Sequence, residues 1–390
     1  MVKLVTKDDC MKVAIVYRLD RPGGVQSVVF SIIKGLNRLN IIPDILWAVE
    51  PDWSLLKKLE LCAEYKYVRF PIPTLFIDKL PDTIRYLAWV GNLIKGDQIQ
   101  GQYDFFYIFY NGFLISNAVP HLYYLSGRPL LPQLSSIAPG IAGIPIRVFR
   151  WIYKTLLRNA RPVYEFHDGA NYVINSQYTS ELFEEEHGIR LPVVYPPIDI
   201  SGREFNISDL NQRDTLTFFS RFIDYKRPEM VLELACRYLD MRCVMMGGVP
   251  QHRRRYFQAL QKQGREMGRP DIEFLDNPSQ MRVNQELRRT KFFVFPAINE
   301  HFGMTTVEAI ASGAIPYVHD SGGQKEIVTN PKLRFSDLEF HKKFEELVNT
   351  SATELHAIRR ELVKHIQKYS EEIFITKMLS YIEPDVYLSI

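Results

Sequence analysis

The segment between residues 291 and 313 constrains the fold more than any other part of the chain. It begins with an apolar run at residues 291–295 that a proline ends, the pattern of a buried strand. A loop follows, and then an apolar helical pattern that stops at Gly313. We expect Thr305 to cap this helix and Glu308, in its first turn, to complete a capping box. Strand, glycine-containing loop and helix start in this order predict an α/β unit whose helix N-terminus favours an anion such as phosphate.

Glu300 lies in the same loop, where its carboxylate could accept hydrogen bonds from sugar hydroxyls. Together with Glu308 it forms a pair of carboxylates eight residues apart. The alternative is that Glu308 only caps the helix and Glu300 is only a solvated loop acid. The pattern elsewhere in the chain favours the ligand-binding interpretation.

Length and composition indicate a globular, soluble protein of two domains. The chain has 390 residues, 46% hydrophobic and 24% charged, and its four cysteines lack the paired spacing of a zinc or disulfide site. These features favour a reducing, cytosolic setting. No signal peptide is recognised, and no apolar run reaches the roughly 18–20 residues of a membrane span. The net charge of +3 does not by itself indicate nucleic acid, and we expect no nucleic-acid partner.

Basic residues at helical spacing mark an acid-free stretch between residues 105 and 164. Arg147, Arg150, Lys154 and Arg158 share one helical face, while apolar side chains occupy another. Such a basic amphipathic helix is typical of a segment that lies on an anionic membrane surface. A helix packed on its own domain, with a solvated basic face, is the alternative.

Two successive series of strands and helices divide the chain. The first opens with an apolar strand at residues 11–17, the glycine pair Gly23-Gly24 and a helical pattern at residues 25–36. The second opens with a strand at residues 215–220. The glycine pair lets a backbone approach a ligand closely, although an ordinary tight turn explains it equally. The full dinucleotide fingerprint is absent, so a nicotinamide dehydrogenase is poorly supported.

We therefore expect an α/β fold of two Rossmann-like, doubly wound parallel sheets that face each other across a cleft. The predicted domains are residues 1–200 and residues 201–370. A last helix within residues 371–390 is a candidate to return to the first domain. Ligands of such sheets bind at the carboxyl ends of the strands.

Two cations follow the first strand of the second series. Arg221 and Lys226 lie in one loop, and a guanidinium and an ammonium together suit a diphosphate. They would also stabilise the charge that develops on a departing nucleoside diphosphate. Two cations in a loop are common, so this signal gains weight only beside the loop that contains Glu300.

The chain resembles the retaining glycosyltransferases of family 4, which have two Rossmann-like domains (the GT-B fold). The resemblance spans roughly residues 11 to 328 in the correct order. Within the family, residues 300–303 and 318–323 are most similar to the GDP-mannose-dependent α-1,2-mannosyltransferases of dolichol-linked oligosaccharide synthesis. The matching motifs are Gly23-Gly24, residues 175–179, 196–199, 220–221, 226–228, 300–308 and 322–328.

This resemblance implies that residues 1–200 bind the acceptor and residues 201–370 bind the nucleotide-sugar. It also implies roles for individual residues. Arg221 and Lys226 would hold the donor diphosphate, Glu300 the sugar hydroxyls and Glu308 the nucleotide ribose. The backbone of the intervening loop would contact sugar and phosphate, and Gly24 would let the first domain approach the phosphate. We expect Glu300, Arg221 and Lys226 to be catalytic. The donor-binding set also includes Gly23, Gly24, His301, Phe302, Gly303, Met304, Thr305 and Glu308.

The resemblance also implies a reaction without a cofactor. Family members retain the anomeric configuration through same-face attack, in which the leaving phosphate helps to take the acceptor proton. This chain contains no Asp-x-Asp sequence, and we expect no bound metal, because Arg221 and Lys226 would neutralise the phosphates. The nucleotide-sugar, expected to be GDP-mannose, is a co-substrate.

One position departs from the family pattern. The family often has a histidine after the strand that residues 122–125 represent, and this chain has Ser126 there. His121 and His167 do not clearly replace it. The first-domain catalytic contact is therefore unassigned, and a non-catalytic partner subunit remains an alternative, as does a sugar-nucleotide epimerase of the same fold.

The sequence as a whole predicts a retaining hexosyltransferase, a mannosyltransferase that uses GDP-mannose. Its acceptor would be a saccharide or a lipid-linked saccharide. The basic stretch would place the enzyme peripherally on the cytoplasmic face of an anionic membrane.

Overall fold

The computed structural model describes residues 11–19, 23–69, 94–95, 99–109, 113–114, 119–127, 171–200 and 210–382. The chain divides into two compact units. The first comprises Met1–Pro197 with Glu372–Ile390, and the second comprises Ile198–Glu371. The boundary expected between residues 200 and 201 lies three residues after the first crossing, between Pro197 and Ile198.

The first unit is built on a parallel sheet of six strands in the order β3-β2-β1-β5-β7-β8. Two further short strands, β4 and β6, pair with each other. Without that pair, the order along the sheet is 3-2-1-4-5-6, the Rossmann arrangement. The strands of this unit are β1 (Val13–Val16), β2 (Asp44–Trp47), β3 (Glu64–Tyr67), β4 (Ile94–Lys95), β5 (Phe105–Ile108), β6 (Phe113–Leu114), β7 (His121–Leu125) and β8 (Asn171–Ile174).

Both faces of this sheet are buried, which explains the continuous apolar runs of its strands. In β1, Val13 and Ile15 belong to one hydrophobic cluster, while Ala14 and Val16 belong to the other. Among the described residues, the helices of this unit are α1 (Gly24–Arg38), α2 (Trp53–Lys58), α3 (Gln177–His187) and, near the end of the chain, α11 (Glu371–Leu379).

Helix α11 packs against the first unit. Gly35 of α1 lies so close to it that an added Cβ would stand 2.7 Å from Ile375 Cγ2. Tyr107 donates a hydrogen bond of 2.8 Å to the carbonyl of Met378, and Arg38 forms an ion pair with Glu372. The last helix therefore completes the core of the unit in which the chain begins.

The second unit repeats the same architecture. Its six parallel strands follow the order β11-β10-β9-β12-β13-β14, which is again 3-2-1-4-5-6. The order reverses between β9 and β12, which pair directly, and the loops after these two strands therefore flank the switch point of the sheet. The strands are β9 (Thr215–Phe219), β10 (Arg242–Gly247), β11 (Glu273–Asp276), β12 (Thr290–Phe295), β13 (Ile315–His319) and β14 (Arg334–Phe335).

Seven helices of the described residues accompany this second sheet. They are α4 (Pro228–Arg237), α5 (Arg254–Glu266), α6 (Gln280–Arg289), α7 (Met304–Ala311), α8 (Gln324–Ile327), α9 (Phe340–Val348) and α10 (Ala352–His365).

The membrane-contact prediction falls outside the described residues. Arg147, Arg150, Lys154 and Arg158 all belong to a stretch that the structure does not describe. Among the residues that it does describe, no helix is both long enough and apolar enough to cross a bilayer.

Candidate functional site

The carboxyl ends of β9 and β12 bring the two predicted ligand groups together. Lys226 lies in a single 3₁₀ turn (Asp224–Lys226) that follows β9, and Glu300 lies in the loop after β12. The Lys226 ammonium contacts Glu300 Oε2 directly. The structure thus joins two residues that are 74 positions apart in sequence, as expected for loops at one edge of a parallel sheet.

The Lys226 side chain is held by more than its charge. The residue is 5% exposed, and its ammonium lies 5.0 Å from the centroid of the Phe295 ring and 5.1 Å from that of Tyr225. Aromatic faces attract a cation, most strongly where water is excluded. The ammonium is therefore fixed at the switch point, ready to meet an anion that replaces or shares Glu300.

Arg221 occupies a different position from Lys226. Its side chain is exposed and donates a hydrogen bond of 3.1 Å to the hydroxyl of Tyr225. Tyr225 is itself 56% exposed. Arg221 is therefore an exposed surface cation, in contrast to the buried Lys226.

The backbone around Glu300 is fixed by the segment Ser321–Gly323. Asn299 has a φ of +53°, in the left-handed region, and its N–H donates a 2.8 Å hydrogen bond to Ser321 Oγ. The N–H of Gly323 donates a 2.7 Å bond to the carbonyl of Glu300. Gly322 has a φ of +66°, and an added Cβ would stand 2.5 Å from that same carbonyl oxygen. Only glycine fits there, which explains the glycine pair 322–323.

Helix α7 begins two residues earlier than the sequence predicted. Gly303, with a φ of +111°, occupies the N-cap position, and no side chain caps the helix. The prediction that Thr305 caps α7 is therefore wrong, because Thr305 is already helical. Glu308 is the fifth residue of α7, so the predicted capping box and first-turn position are wrong as well. At the start of α7 the N–H of Thr306 donates a 2.9 Å hydrogen bond to the carbonyl of Gly303, and no side chain caps the backbone N–H groups of Met304 and Thr305.

Phe302 and Gly303 anchor the start of α7 to neighbouring segments. Phe302 is 2% exposed, and its ring packs edge-to-face on Tyr369 at 5.1 Å. A Cβ on Gly303 would lie 2.5 Å from Nε2 of Gln324. Gln324 is fully buried, and its carbonyl accepts a 2.8 Å hydrogen bond from Thr306. The Phe302 side chain is thus structural, so the predicted ligand contact of this residue would come from its backbone. The neighbouring predicted ligands His301 and Met304 are half-buried.

An ionic network behind this loop was not predicted as functional. Asp337 Oδ1 lies 2.8 Å from Arg227 Nη1 and 3.4 Å from His319 Nε2. The Arg227 hydrogen bond lowers the pKa of Asp337. Burial lowers the pKa of His319; the nearby Asp337 charge acts in the opposite direction, and Arg227 lowers it further. Arg227 and His319 belong to motifs that the sequence singled out, whereas nothing in the sequence marks Asp337.

The predicted residues of the first unit give a more limited picture. Gly23 is the N-cap of α1 in an extended conformation, and an added Cβ there would meet nothing within 4 Å. Packing therefore does not require glycine at this position, and the ligand role of Gly23 and Gly24 stays a prediction. The carbonyl of Ser126 accepts a 2.8 Å hydrogen bond from the amide of Asn175. His121 is 3% exposed, and its Nδ1 bonds to the carbonyl of Val119 at 2.7 Å, as expected of a structural histidine.

Within the described part of the chain, no group of three or more His, Cys, Asp or Glu side chains is arranged to hold a metal ion. Lys226, Arg221 and the N-terminus of α7 are instead the positive groups around the switch point. Such a combination of a buried cation, an exposed cation and a helix N-terminus can bind a phosphorylated ligand.

Comparison with known families and proteins supports this interpretation of the second unit. Residues 202–357 match the model of the family described as Glycosyl transferases group 1. The GDP-Man:Man(3)GlcNAc(2)-PP-Dol alpha-1,2-mannosyltransferase of Dictyostelium discoideum is 25% identical over 242 residues, 54% of this chain and 46% of that protein. The protein of the same name from Neurospora crassa is 26% identical over 215 residues, 50% of this chain and 38% of that protein. These alignments cover less than half the length of the relatives.

Solved structures extend the fold comparison to nearly the whole chain. Anabaena HepE, crystallised with UDP and glucose, gives a TM-score of 0.68 at 16% identity and covers 96% of this chain and 100% of its own. WaaG, a glycosyltransferase involved in lipopolysaccharide biosynthesis, gives 0.64 at 13% identity and covers 95% of this chain and 99% of its own. The predicted α/β fold of GT-B type and the predicted glycosyltransferase resemblance are confirmed.

Proposed function

We propose, from the glycosyl transferases group 1 domain that this chain carries over residues 202–357, that the protein transfers a hexose from a nucleotide-sugar to a saccharide acceptor. The observation that carries the proposal is the Lys226–Glu300 pair at the switch point of the second sheet. It combines a phosphate ligand and a sugar ligand beside the N-terminus of α7. A single nucleotide-sugar has both of the groups that such a site recognises.

The donor diphosphate binds to the positive groups of this site. Lys226 provides a fixed ammonium, Arg221 closes over the diphosphate from the surface, and the first N–H groups of α7 bind the remaining phosphate oxygens. Negative charge grows on the diphosphate as the glycosidic bond to the donor breaks, so the same groups stabilise the transition state. Neutralisation by these groups makes a divalent metal unnecessary.

Glu300 binds the donor sugar, and Glu308 binds the ribose. Glu300 is held by hydrogen bonds on both sides of its backbone, so its carboxylate is presented in a defined direction to hydroxyl groups. Glu308 lies on the second turn of α7, half-buried. The acceptor hydroxyl attacks the anomeric carbon on the face from which the diphosphate leaves. The departing phosphate oxygen takes the hydroxyl proton, and the anomeric configuration is retained.

We assign GDP-mannose as the donor and a lipid-linked saccharide as the acceptor. The support comes from the names of the curated relatives, which combine a GDP-mannose donor with a dolichol pyrophosphate-linked glycan. The acid-free basic stretch with Arg147, Arg150, Lys154 and Arg158 would bind the anionic surface in which such an acceptor resides. The enzyme would then act as a peripheral protein on the cytoplasmic face of a membrane.

Thermal unfolding of the full chain with GDP, UDP or ADP tests the donor site. A nucleotide at about 100 times its Kd should stabilise the protein by roughly 2.7 kcal/mol. We expect this shift with GDP alone, and its loss in the Arg221→Ala/Lys226→Ala double variant. A shift with UDP instead would keep the site and remove the mannose assignment.

Product analysis then tests the reaction itself. We expect mannose transfer from GDP-mannose to a lipid-linked oligosaccharide in liposomes, unchanged by a metal chelator. Conversion of GDP-mannose without an acceptor would identify an epimerase. Nucleotide binding without any turnover would identify a non-catalytic partner subunit. Neutralising Arg147, Arg150, Lys154 and Arg158 should reduce both vesicle binding and transfer to the lipid acceptor.

A further inference from the structure

We propose that Ser321, held in turn by His319 and Asp337, is a positioning residue that fixes the backbone of Glu300 for contact with the donor sugar. This inference rests on the proposed function, because that function assigns the sugar hydroxyls to Glu300.

A directed chain of contacts leads from the loop to Asp337. Ser321 Oγ accepts a 2.8 Å hydrogen bond from the N–H of Asn299, so its own O–H is available to donate to His319 Nδ1, 2.7 Å away. This donation makes Nδ1 an acceptor and places the proton of neutral His319 on Nε2. Nε2 lies 3.4 Å from Asp337 Oδ1. In this series of contacts, the donor or acceptor role of each group is thus set by its neighbour.

These contacts support the backbone at Asn299 and Glu300. Asn299 precedes Glu300 and has a left-handed φ of +53°, a conformation that asparagine adopts more readily than most non-glycine residues but that still costs free energy relative to the right-handed region. The N–H of Asn299 is bound by Ser321, and the carbonyl of Glu300 is bound by Gly323 at 2.7 Å. Glu300 is therefore clamped on both sides by consecutive parts of one segment. Removal of the Ser321 hydroxyl opens one side of that clamp.

The Asp337 carboxylate also contacts the residue next to Lys226. Asp337 Oδ1 lies 2.8 Å from Nη1 of Arg227, which immediately follows Lys226 and donates a second bond of 3.3 Å to the carbonyl of Pro296. Asp337 is thereby connected to the residues next to both members of the Lys226–Glu300 pair. A supporting layer of this kind, which locks the groups that contact a ligand, preserves a productive geometry.

The test compares the affinities of GDP and GDP-mannose, measured by titration calorimetry on the full chain. In Ser321→Ala and His319→Gln, we expect the affinity for GDP-mannose to fall about tenfold, while that for GDP changes less than about twofold. Ser321→Thr keeps the hydroxyl and should bind both ligands like the wild type. His341→Gln is the matched control, because His341 Nε2 pairs with Glu233 at 3.3 Å in the same unit, on α9.

Amide hydrogen exchange of Asn299 provides a readout without any ligand. We expect faster exchange at Asn299 in Ser321→Ala and His319→Gln than in the wild type and in His341→Gln. Unchanged exchange would overturn the proposal, as would a loss of affinity that is equal for GDP and GDP-mannose. A wild type that binds neither nucleotide would instead refute the proposed function, and the exchange rates alone would then decide whether Ser321 positions the loop.

Discussion

Lys226 and Glu300 neutralise each other between the loops that follow two paired strands, with only 7% and 19% of their side chains exposed. Each of the two residues proposed to bind the donor is thus the ion-pair partner of the other. A donor that brings a diphosphate to Lys226 and hydroxyl groups to Glu300 replaces or shares this contact on both sides. A nucleoside diphosphate without the sugar competes with Glu300 for the Lys226 ammonium and provides no sugar hydroxyl groups for Glu300 to bind.

Glu300→Gln should therefore strengthen GDP binding and abolish transfer. The amide keeps the shape of the side chain but leaves the Lys226 ammonium without a counter-charge, so we expect the affinity for GDP to rise about tenfold. The affinity for GDP-mannose should gain less, because the sugar loses its charged acceptor. Calorimetric titration with both ligands checks this, with Glu286→Gln as the control. Glu286, whose side chain is only 2% exposed, is the ion-pair partner of Arg242 and belongs to α6, at the opposite end of the strands. Weaker GDP binding in Glu300→Gln would contradict the prediction.

Lys226→Met should destabilise the protein more than the Lys226→Met/Glu300→Gln double variant does. The single change leaves a largely buried carboxylate without a cation, at a cost of about 2 kcal/mol. The double variant removes that unpaired charge and regains part of the loss. Urea unfolding of the four proteins gives the coupling free energy directly. The exposed pair Lys332–Glu354, at 68% and 46% exposure, provides a control cycle in which we expect less than about 1 kcal/mol.

The sequence predicted the fold and the proximity of Lys226 and Glu300 because both follow from local patterns, while the role of these residues as donor ligands stays a prediction. Apolar runs with both faces buried identify the strands of a parallel sheet, and carboxyl-end loops of neighbouring strands must meet, so Lys226 and Glu300 were predicted to share a site. The helix start was misjudged for an equally local reason. Thr305 and Glu308 have capping-box spacing, but Gly303 adopts the left-handed N-cap conformation and starts α7 first.

The network of Asp337, His319 and Arg227 could not be predicted from local patterns, because these residues come together only through tertiary packing. Asp337 follows β14 by two positions, His319 ends β13 and Arg227 follows the turn after β9. No spacing in the sequence relates these three residues. Ser321 precedes the recognisable glycine pair. Its contact with Asn299, however, accompanies the close approach of Gly322 to Glu300, which is a feature of the tertiary structure.

Gly322→Ala should both destabilise the second unit and impair donor binding. A Cβ there would stand 2.5 Å from the Glu300 carbonyl, so the loop must move in addition to the cost of the left-handed backbone. Gly268→Ala is the matched control, because Gly268 also has a positive φ, of +82°, but nothing lies within 4 Å of an added Cβ. We expect Gly268→Ala to cost about 1 kcal/mol with normal GDP-mannose binding. Gly322→Ala should cost more, and its GDP-mannose affinity should fall. Equal effects of the two substitutions in urea unfolding and calorimetry would refute the clamp.

Stability between about pH 7 and pH 5 should depend on His319. The pKa of His319 is lowered from its usual 6.5 in the folded protein, so the unfolded chain binds the proton more readily. The resulting stability is fully present above pH 6.5 and is lost as the pH falls through the folded-state pKa. His319→Gln removes this contribution, and its free energy of unfolding should fall less than that of the wild type on acidification.

Asp337→Asn should make the free energy of unfolding depend more steeply on pH, whereas His319→Gln makes it depend less steeply. The Arg227 hydrogen bond lowers the pKa of Asp337 below its usual 3.8, so this carboxylate stays charged through the His319 window and raises the pKa of His319. Without it, the pKa of folded His319 falls further, and the loss of stability on acidification becomes larger than in the wild type. Urea unfolding at several pH values should therefore rank the slopes as His319→Gln, wild type and Asp337→Asn, from shallow to steep. Equal slopes for His319→Gln and the wild type would show that His319 titrates alike in the folded and unfolded chain.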